Sequence, residues 1–488
     1  MISSNDPYKP LITNVLFILA DDMGAWALGC AGNSEVRTPN LDQLSARGIM
    51  LCNAFCTSPV CSPARASILT GRIPSQHGIH DWIRQGNSPR ESPNGTVTDY
   101  LSDVPAYTEI LAEQGYTCGL SGKWHLGNAT SSQKGHTFWK TYTSGGSNYY
   151  GAPMLGEDGE EYDDPRYVTH VITENALEFL NQQERGAQPF YLGVHYTAPH
   201  SPWDRGQHPP EYFDAYVQNC AFQSTPERPP HICQIKTAPC PDSPERRREL
   251  LSGYYAAITA MDADIGRLLQ TLDDRDLTDT TLIIFTGDNG MNMGHHGLYG
   301  KGNATYPLNM YDTSVRVPFI ASCPGKIPEG AVAHSLFSHY DFMPSLLDFL
   351  GLRQHIPRGL PGKSCADLWQ EGDTSAAGGD NIVVYDEYGP VRMIRTLARK
   401  YVHHFTSASH EFYDLLNDPD EEHNLINSAE YANEILELRS RLQSWFAQHV
   451  DPLQDGSILP VTGMGQLSKA TRERVSQFQQ GYKYSNPV

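Results

Sequence analysis

The sequence predicts an α/β protein: a doubly wound, mostly parallel sheet flanked by helices, with a smaller α+β subdomain at the C-terminus. Two observations support this fold class. Three continuous apolar runs, NVLFILADD, PFYLGVHYTAPH and TLIIFTGDNG, each end in polar residues, as buried parallel strands do when their carboxyl ends open on a site. Segments with helical periodicity alternate with these runs: TPNLDQLSARG, YTEILAEQG and GYYAAITAMDADIGRLLQTLDD.

The composition of the chain changes near residues 371–381, where EGDTSAAGGDN is typical of a linker. We therefore predict a larger α/β domain at residues 1–375 and an α+β subdomain at residues 376–488. In the subdomain, RMIRTLARKYVHHF and EFYDLLNDPDEEHNL resemble short strands, and EILELRSRLQSWFAQHV a helix. Residues 203–249 are rich in proline and are interpreted as an insertion that forms a lid or rim.

Composition and charge exclude several kinds of partner. The chain has 488 residues, of which 39% are hydrophobic and 19% charged, as in ordinary globular proteins. Its formal net charge of -20 repels nucleic acid and anionic membrane surfaces, so neither is expected as a partner. An anionic substrate would have to be held by local positive charge, which gives weight to arginines, lysines and histidines near any pocket.

The N-terminal sequence bears on localisation. MISSNDPYKP lacks the basic and apolar regions of a signal peptide, and no run approaches the roughly 18 apolar residues of a spanning helix. The sequence as written therefore predicts a cytoplasmic protein, or a periplasmic or secreted one if a leader was removed. The ten cysteines lack metal-finger spacing and do not identify a redox compartment.

Oxygen-bearing side chains follow two of the predicted strands. Asp21 and Asp22 close the first apolar run, and Asp288 and Asn289 close the third. Carboxylate and amide oxygens suit Ca²⁺ or Mg²⁺, and calcium is favoured because its coordination is flexible, whereas Mg²⁺ usually keeps several waters. Each pair alone has turn capping as an alternative role, but two pairs at matching strand ends favour a metal site.

Basic and imidazole side chains occur in three further motifs. In SGKWHLG, the lysine and the histidine are two positions apart, so both side chains point the same way if the segment is extended. TAPHSPW places a histidine in a rigid loop between two prolines. GHHGLYGKG is a glycine-rich loop with two histidines and a lysine. Solvent-exposed charge or a buried structural histidine is the alternative for each motif alone. The candidate residues are Lys123, His125, His200, His295, His296 and Lys301.

The segment CSPARASILTGR combines a cysteine with a predicted helix start. Pro63 suits a first helical turn, and the residues after it have adequate helix propensity. Cys61 would therefore lie at a helix N-terminus, where anions are favoured, with Arg65 one turn later.

This segment resembles the signature of the type I sulfatases, C-x-P-x-R followed by T-G-R, in which the cysteine is converted after translation to formylglycine. The resemblance continues in the expected order through LADDMG, TPNLDQLSARG, GYTCGLSGKWHLG, TAPHSPW, TGDNG and HGLYGKG, and EFYDLLNDPDEEHNL is similar to the family's C-terminal region. The chain is identified as a member of this family, in the alkaline-phosphatase-like superfamily. Its main departure is the insertion after Trp203.

The resemblance implies a mechanism. Cys61 becomes an aldehyde and, when hydrated, a gem-diol, of which one hydroxyl, activated by the cation, attacks sulfur and expels the alcohol. Arg65 and Lys123 orient the diol, and His125 removes the proton from its second hydroxyl. His200 and Lys301 bind sulfate oxygens, and either is a candidate general acid. The expected metal ligands are Asp21, Asp22, modified Cys61, Asp288 and Asn289; the expected substrate-binding residues are Lys123, His200, His296 and Lys301.

The resemblance also implies partners: a sulfated small molecule or saccharide, and a formylglycine-generating maturation enzyme. A carbohydrate is favoured because aromatic residues in loops suit sugar faces; those considered are Trp139, Tyr149, Tyr150 and Trp203. Two alternatives remain open. One is a phosphonate monoester or phosphodiester hydrolase of the same superfamily. The other is a catalytically dead sulfatase-like binding protein, which predicts the loss of a metal or catalytic position; none is lost.

Overall fold

The computed structural model describes residues 13–373, 383–407, 409–470 and 477–479. The strands in these ranges are β1 (Asn14–Ala20), β2 (Ile49–Phe55), β3 (Thr117–Lys123), β4 (Phe138–Tyr142), β5 (Tyr150–Leu155), β6 (Glu161–Tyr167), β7 (Phe190–His195), β8 (Thr281–Gly287), β9 (Asn292–Met293), β10 (Tyr299–Gly300), β11 (Arg316–Val317), β12 (Phe319–Ser322), β13 (Ala331–Ser338), β14 (Val384–Tyr388), β15 (Val391–Arg395), β16 (Arg399–His404) and β17 (Glu411–Asp414).

The α-helices of the same ranges complete the architecture. They are α1 (Pro39–Ala46), α2 (Cys61–Thr70), α3 (Pro74–His77), α4 (Tyr107–Glu113), α5 (Val168–Asn181), α6 (Pro210–Asn219), α7 (Pro244–Asp274), α8 (Asp312–Val315), α9 (Phe342–Phe349), α10 (Ala366–Glu371) and α11 (Ala432–His449). None of these described helices is long and apolar enough to cross a membrane.

Eleven of the described strands form one mixed sheet. Its order is β11–β2–β12–β8–β1–β7–β3–β4–β5–β6, and β13 pairs with β2. The central strands β8, β1, β7, β3 and β4 are parallel, which confirms the predicted fold class. Antiparallel strands extend both sides: β12 beside β8, and β5 and β6 beyond β4. Since β2 is antiparallel to β12, it points in the same direction as β8.

Strand β1 shows why the central strands are apolar throughout. All seven of its residues are buried, and successive side chains enter opposite layers of the core. Val15, Phe17 and Leu19 join the layer that contains α2, α4 and α9. Leu16 and Ile18 join the layer that contains α1, α5 and α7. Helices thus cover both faces of the sheet, as a doubly wound fold requires.

Helix α7 is longer than the sequence periodicity indicated. It begins at Pro244, where the side chain of Ser243 accepts a hydrogen bond from the Arg246 N–H at 3.1 Å. Part of the predicted proline-rich loop at residues 203–249 is also helical: it contains α6, which packs against α7 and buries Phe213 and Tyr216. These two residues are three positions apart, which is the apolar spacing of an amphipathic helix. The high proline content of the segment led to its interpretation as a loop.

The C-terminal subdomain is a four-stranded antiparallel sheet in the order β14–β15–β16–β17, with α11 packed on it. The helix buries Leu438, Leu442 and Phe446 against Ile394 and Tyr401 of the sheet. This α+β arrangement confirms the predicted subdomain class. The predicted boundary between residues 375 and 376, with most of the linker at 371–381, lies outside the described residues, so the division remains a prediction.

Candidate active site

The carboxyl ends of two parallel strands bring the four oxygen-bearing residues together. Strands β1 and β8 are in register up to Ala20 and Gly287, so Asp21–Asp22 and Asp288–Asn289 leave the sheet side by side. The Asp288 N–H donates to the Ala20 carbonyl at 3.0 Å. The Asp22 N–H donates to Asp288 Oδ1 at 3.1 Å. All four side chains are buried.

Cys61 is the first residue of α2 and is buried beside this group. Its thiol lies 3.2 Å from Asp21 Oδ1 and 3.8 Å from Asp22 Oδ1, and it accepts a hydrogen bond from Lys301 Nζ at 2.8 Å. The helix ends where the sequence turns to Thr-Gly-Arg, because Gly71 adopts a left-handed conformation (φ 65°) and its N–H donates to the Ser67 carbonyl at 2.9 Å.

Three cations face the three carboxylates of the site. Arg65, one turn after Cys61, lies 2.9 Å from Asp288 Oδ2 and 3.6 Å from Asp21 Oδ2. Lys123 ends β3 and contacts Asp21 Oδ2, while Lys301 contacts Asp22 Oδ1. All three cations are buried, so each charge is held by ion pairing rather than by water.

The pKa values follow from this pairing. Burial favours the protonated form of Asp21, but the charges of Lys123 and Arg65 hold its pKa well below the usual range. Burial and the charge of Asp21 raise the pKa of Asp288 to about 7. Burial, together with Asp21, also raises the pKa of the Cys61 thiol, which is therefore neutral near pH 7. A neutral buried thiol is a weak nucleophile.

The donor atoms of the site fit a divalent cation. One ligand atom from each of Asp21, Asp22, Cys61 and His200 lies within 4.8 Å of the others. The amide of Asn289 donates to Asp22 Oδ1 at 3.0 Å, while its buried Oδ1 has no hydrogen-bond partner. A cation among these oxygens would provide that partner. It would also turn a balanced set of charges into a net positive site that suits an anion.

The two candidate catalytic histidines are neutral and have defined tautomers. His125 Nε2 lies 2.9 Å from the Ile83 carbonyl, which only accepts, so Nε2 carries the proton and the buried Nδ1 is an unpartnered acceptor. His200 Nδ1 donates to the Ser201 carbonyl at 2.6 Å, and its Nε2 lies 3.7 Å from Asp22 Oδ2. Burial lowers the pKa of both imidazoles, and Lys123 lowers that of His125 further.

A pocket of about 760 Å³ opens above Cys61, His125, His200 and Lys301. Its walls include residues that lie outside the motifs quoted above: Trp82, Ile83, Arg84, Glu91, Ser144, Gly145, Gly146, Ser147, Asn148 and Asn303. The pair Gly145–Gly146 is a signal that could have been used. A Cβ at position 145 would lie 2.4 Å from His125 Nε2, so only glycine fits there without displacing the histidine.

Comparison with known proteins identifies the family. The sulfatase family model matches residues 13–352, and the model for the C-terminal region of N-sulphoglucosamine sulphohydrolase matches residues 294–448. The chain belongs to the sulfatase family. It is a sulfuric ester hydrolase with the alkaline-phosphatase-like fold, as its sequence motifs predicted.

Three known proteins illustrate the similarity of this sulfatase to others. The ulvan-active sulfatase of Formosa agariphila is 29% identical over 91% of this chain and 82% of its own length. A protein solved in complex with its substrate D-glucosamine-2-N,6-O-disulfate has a TM-score of 0.75 at 24% identity, covering 90% of this chain and 98% of that one. The phosphonate monoester hydrolase of Agrobacterium radiobacter shares the fold, with a TM-score of 0.66 at 21% identity over 90% of this chain and 96% of that one.

Of the predicted substrate-binding residues, His200 and Lys301 line the pocket of this sulfatase, whereas Lys123 and His296 do not. Lys123 is buried beside Asp21. The ring of His296 stacks on Tyr311 at 3.9 Å between centroids and 11° between planes. The preceding His295 packs against Trp26 at 4.7 Å between ring centroids. The sequence of a glycine-rich loop is compatible with a histidine that lines the pocket and with one that packs elsewhere. The path of the loop in the folded protein decides between these two positions.

The four loop aromatics considered for sugar binding also lie outside the pocket lining. Trp203 and Tyr149 are 1% exposed and belong to the core, so that expectation is wrong for both. The insertion at residues 203–249 contributes no lining residue either. It packs under the loop that carries Lys301, where the Ile235 N–H donates to the Ala304 carbonyl at 2.8 Å.

Proposed function

We propose that this sulfatase hydrolyses a sulfate monoester on a carbohydrate, with Cys61 converted to formylglycine and a divalent cation, calcium in preference to magnesium, at the adjoining site. The observation that carries the proposal is the position of Cys61, which lies at the base of a pocket and among carboxylates and cations. The proposed cation ligands are Asp21, Asp22, modified Cys61, Asp288 and Asn289.

The proposed chemistry at the base of the pocket depends on formylglycine and a cation, and on side chains of the chain itself. A formylglycine at position 61 would supply a hydrated aldehyde, and the cation would supply Lewis acidity. Arg65 and Lys123 hold Asp21 and Asp288 in place and balance their charge. These buried ion pairs keep Asp21, which lies 3.2 Å from the Cys61 thiol, in a fixed position beside residue 61.

His125 is the proposed base. Its Nε2–H is donated to the Ile83 carbonyl, so its buried Nδ1 keeps a free lone pair, and the residue lines the pocket beside Cys61. Lys301 lines the same pocket and is proposed to bind the sulfate oxygens through its ammonium. His200 also lines it and is proposed to bind them through Nε2–H in its protonated form, because its Nδ1–H is donated to the Ser201 carbonyl. One of them protonates the leaving oxygen of the alcohol, which requires a donor within hydrogen-bond reach of that atom.

The proposed carbohydrate substrate is supported by relatives and by the pocket. The ulvan-active sulfatase and the protein solved with D-glucosamine-2-N,6-O-disulfate both have saccharide ligands in their names. The volume of about 760 Å³ falls in the range of pockets that take ligands of saccharide size. Trp82 lines one wall and offers an aromatic ring to a sugar, the role expected of Trp139, Tyr149, Tyr150 and Trp203.

The experiment compares ester classes on protein produced with a formylglycine-generating enzyme, the proposed maturation partner. Peptide mass measurement should show the aldehyde at position 61. The ratio kcat/KM is then measured for sulfated mono- and oligosaccharides and for matched aryl sulfate, aryl phosphate and aryl phosphonate monoester. We expect a saccharide sulfate to be the best substrate. A preference for the phosphonate of about tenfold or more would replace the sulfatase proposal with a phosphonate hydrolase.

A further inference from the structure

An arginine on the pocket wall has no assigned role in the reaction. Arg84 lines the pocket together with Cys61 and Lys301, and its side chain is exposed. The guanidinium donates to the Met464 carbonyl at 3.2 Å and lies 5.7 Å from the centroid of the Trp82 ring. It forms no ion pair with a carboxylate in the part of the chain that the structure describes.

The nearby acidic residue of the pocket is not its partner. Glu91 also lines the pocket, but its two oxygens accept hydrogen bonds from the Asn87 amide and the Ser144 hydroxyl. Arg90, six residues after Arg84, shows the contrasting case: it is exposed, lies outside the pocket lining, and pairs with Asp163 at 2.7 Å. Arg84 is the arginine of the pocket lining, and among the described residues no carboxylate pairs with it.

The backbone around Arg84 is held in place by a segment close to the C-terminus. The Arg84 N–H donates to the Gln466 carbonyl at 2.9 Å, and the Gln466 N–H donates to the Trp82 carbonyl at 2.8 Å. Gly465, the residue before Gln466, has a positive φ of 109°, and a Cβ at this position would lie only 2.9 Å from Arg84 Cβ. A glycine there allows the two segments to approach closely. The backbone of Arg84 is therefore fixed before a ligand arrives, which reduces the entropy lost on binding.

We propose that Arg84 binds a second anionic group of the substrate. A guanidinium presents donors in a planar fork that matches a sulfate or a carboxylate. The preferred substrate is then a saccharide with at least two anionic groups: the sulfate ester that reacts at the base of the pocket, and a further sulfate or carboxylate that reaches its wall. This inference rests on the proposed sulfatase function and names its substrate class.

The test uses matched pairs of saccharides on protein with converted Cys61. In each pair, one member carries a single sulfate and the other carries an added sulfate or carboxylate; one pair is N-acetylglucosamine 6-sulfate and glucosamine-2-N,6-O-disulfate. We expect the wild type to prefer the dianionic member of at least one pair. Arg84→Gln should lower kcat/KM for that member at least about tenfold more than for its monoanionic partner. Arg90→Gln, the matched control, should leave the preference intact.

Four results are informative. Loss of the preference in Arg84→Gln, with a preference that weakens as salt is added, supports the proposal. A wild type that hydrolyses 4-nitrophenyl sulfate but distinguishes the members of no pair overturns it, as does an unchanged preference in Arg84→Gln. If the converted protein hydrolyses no sulfate ester at all, the proposed function fails first and the role of Arg84 fails with it. Thermal unfolding of each variant confirms that it is folded.

Discussion

The buried charges beside Cys61 can be compared with a second buried group near the C-terminal subdomain. We call the first the pocket cluster; it consists of Asp21, Asp22, Asp288, Arg65, Lys123 and Lys301. We call the second the subdomain cluster; it consists of Asp312, Glu421, Arg395 and Lys400. In the subdomain cluster, Asp312 lies 2.8 Å from Arg395 Nη2 and 2.9 Å from Lys400 Nζ, and Glu421 lies 2.6 Å from Lys400. Lys400 is fully buried.

The two clusters differ in what surrounds their ion pairs. The pocket cluster adjoins a pocket and two buried atoms without hydrogen-bond partners, Asn289 Oδ1 and His125 Nδ1. The subdomain cluster joins α8 to β15 and β16, and none of its four residues lines that pocket. Buried oxygens without hydrogen-bond partners occur beside it as well, in Asp386, which interacts electrostatically with Lys400 and Asp312. Neither buried charge nor an unpartnered oxygen therefore identifies a site by itself; the adjoining pocket distinguishes the two clusters.

Replacing the reactive position of the pocket cluster gives the largest expected effect. Cys61→Ala removes the residue proposed for conversion, so kcat/KM for an aryl sulfate should fall on the order of 10³-fold or more. The melting temperature should stay close to that of the wild type. Cys52→Ala, a cysteine of β2 away from the pocket lining, serves as the control. If Cys61→Ala hydrolysed the aryl sulfate as fast as the wild type, the proposal that residue 61 reacts beside the pocket cluster would be wrong.

Breaking the subdomain cluster should affect stability and not chemistry. Lys400→Met leaves two buried carboxylates without their shared ammonium, and the free energy of unfolding should fall by about 3–5 kcal/mol. The kcat of the folded variant should match the wild type. Lys140→Met, which removes the exposed pair with Glu157, should cost less than about 1 kcal/mol. A large drop in kcat for Lys400→Met at a temperature where it is folded would show that the clusters are coupled.

Adding calcium should stabilise the protein through the pocket cluster alone. After treatment with a chelator, Ca²⁺ at about 100 times its Kd should raise the free energy of unfolding by about 2.7 kcal/mol, because only the folded state holds the ligands together. Thermal unfolding with increasing Ca²⁺ measures this. Asp21→Asn should weaken the response and Asp312→Asn should not. An equal response in both variants and the wild type would place the cation elsewhere.

The smallest effect is expected at His296, whose stacking partner Tyr311 directly precedes Asp312 of the subdomain cluster. His296→Ala should change kcat/KM by no more than about threefold, whereas His200→Ala should lower it by about 10² or more. Steady-state kinetics on one aryl sulfate and one saccharide sulfate measure kcat/KM for both variants and test this difference. If His296→Ala lost as much as His200→Ala, the loop would have to reach the substrate during turnover.

Several features were predictable because their signals are local. The apolar runs that became β1, β7 and β8 identified the central sheet, and the motifs around Cys61 and Asp288 identified the base of the pocket. The antiparallel strands β5 and β6 were missed, since half-exposed strands carry a weak pattern and their pairing depends on distant partners. Helix α6 was missed because prolines around it were interpreted as a loop.

The sequence by itself determined the fold class, the family and the identity of the side chains at the base of the pocket, because strand burial, the helix start at Cys61 and the polar strand ends are encoded by neighbouring residues. Only the tertiary structure decided which residues form the walls. Trp82 and Arg84 are held by hydrogen bonds to Gly463 and Gln466, more than 380 residues away. His296 stacks on Tyr311 and does not line the pocket. Contacts between segments so distant in sequence depend on how the whole chain packs, and no local pattern of residues records them.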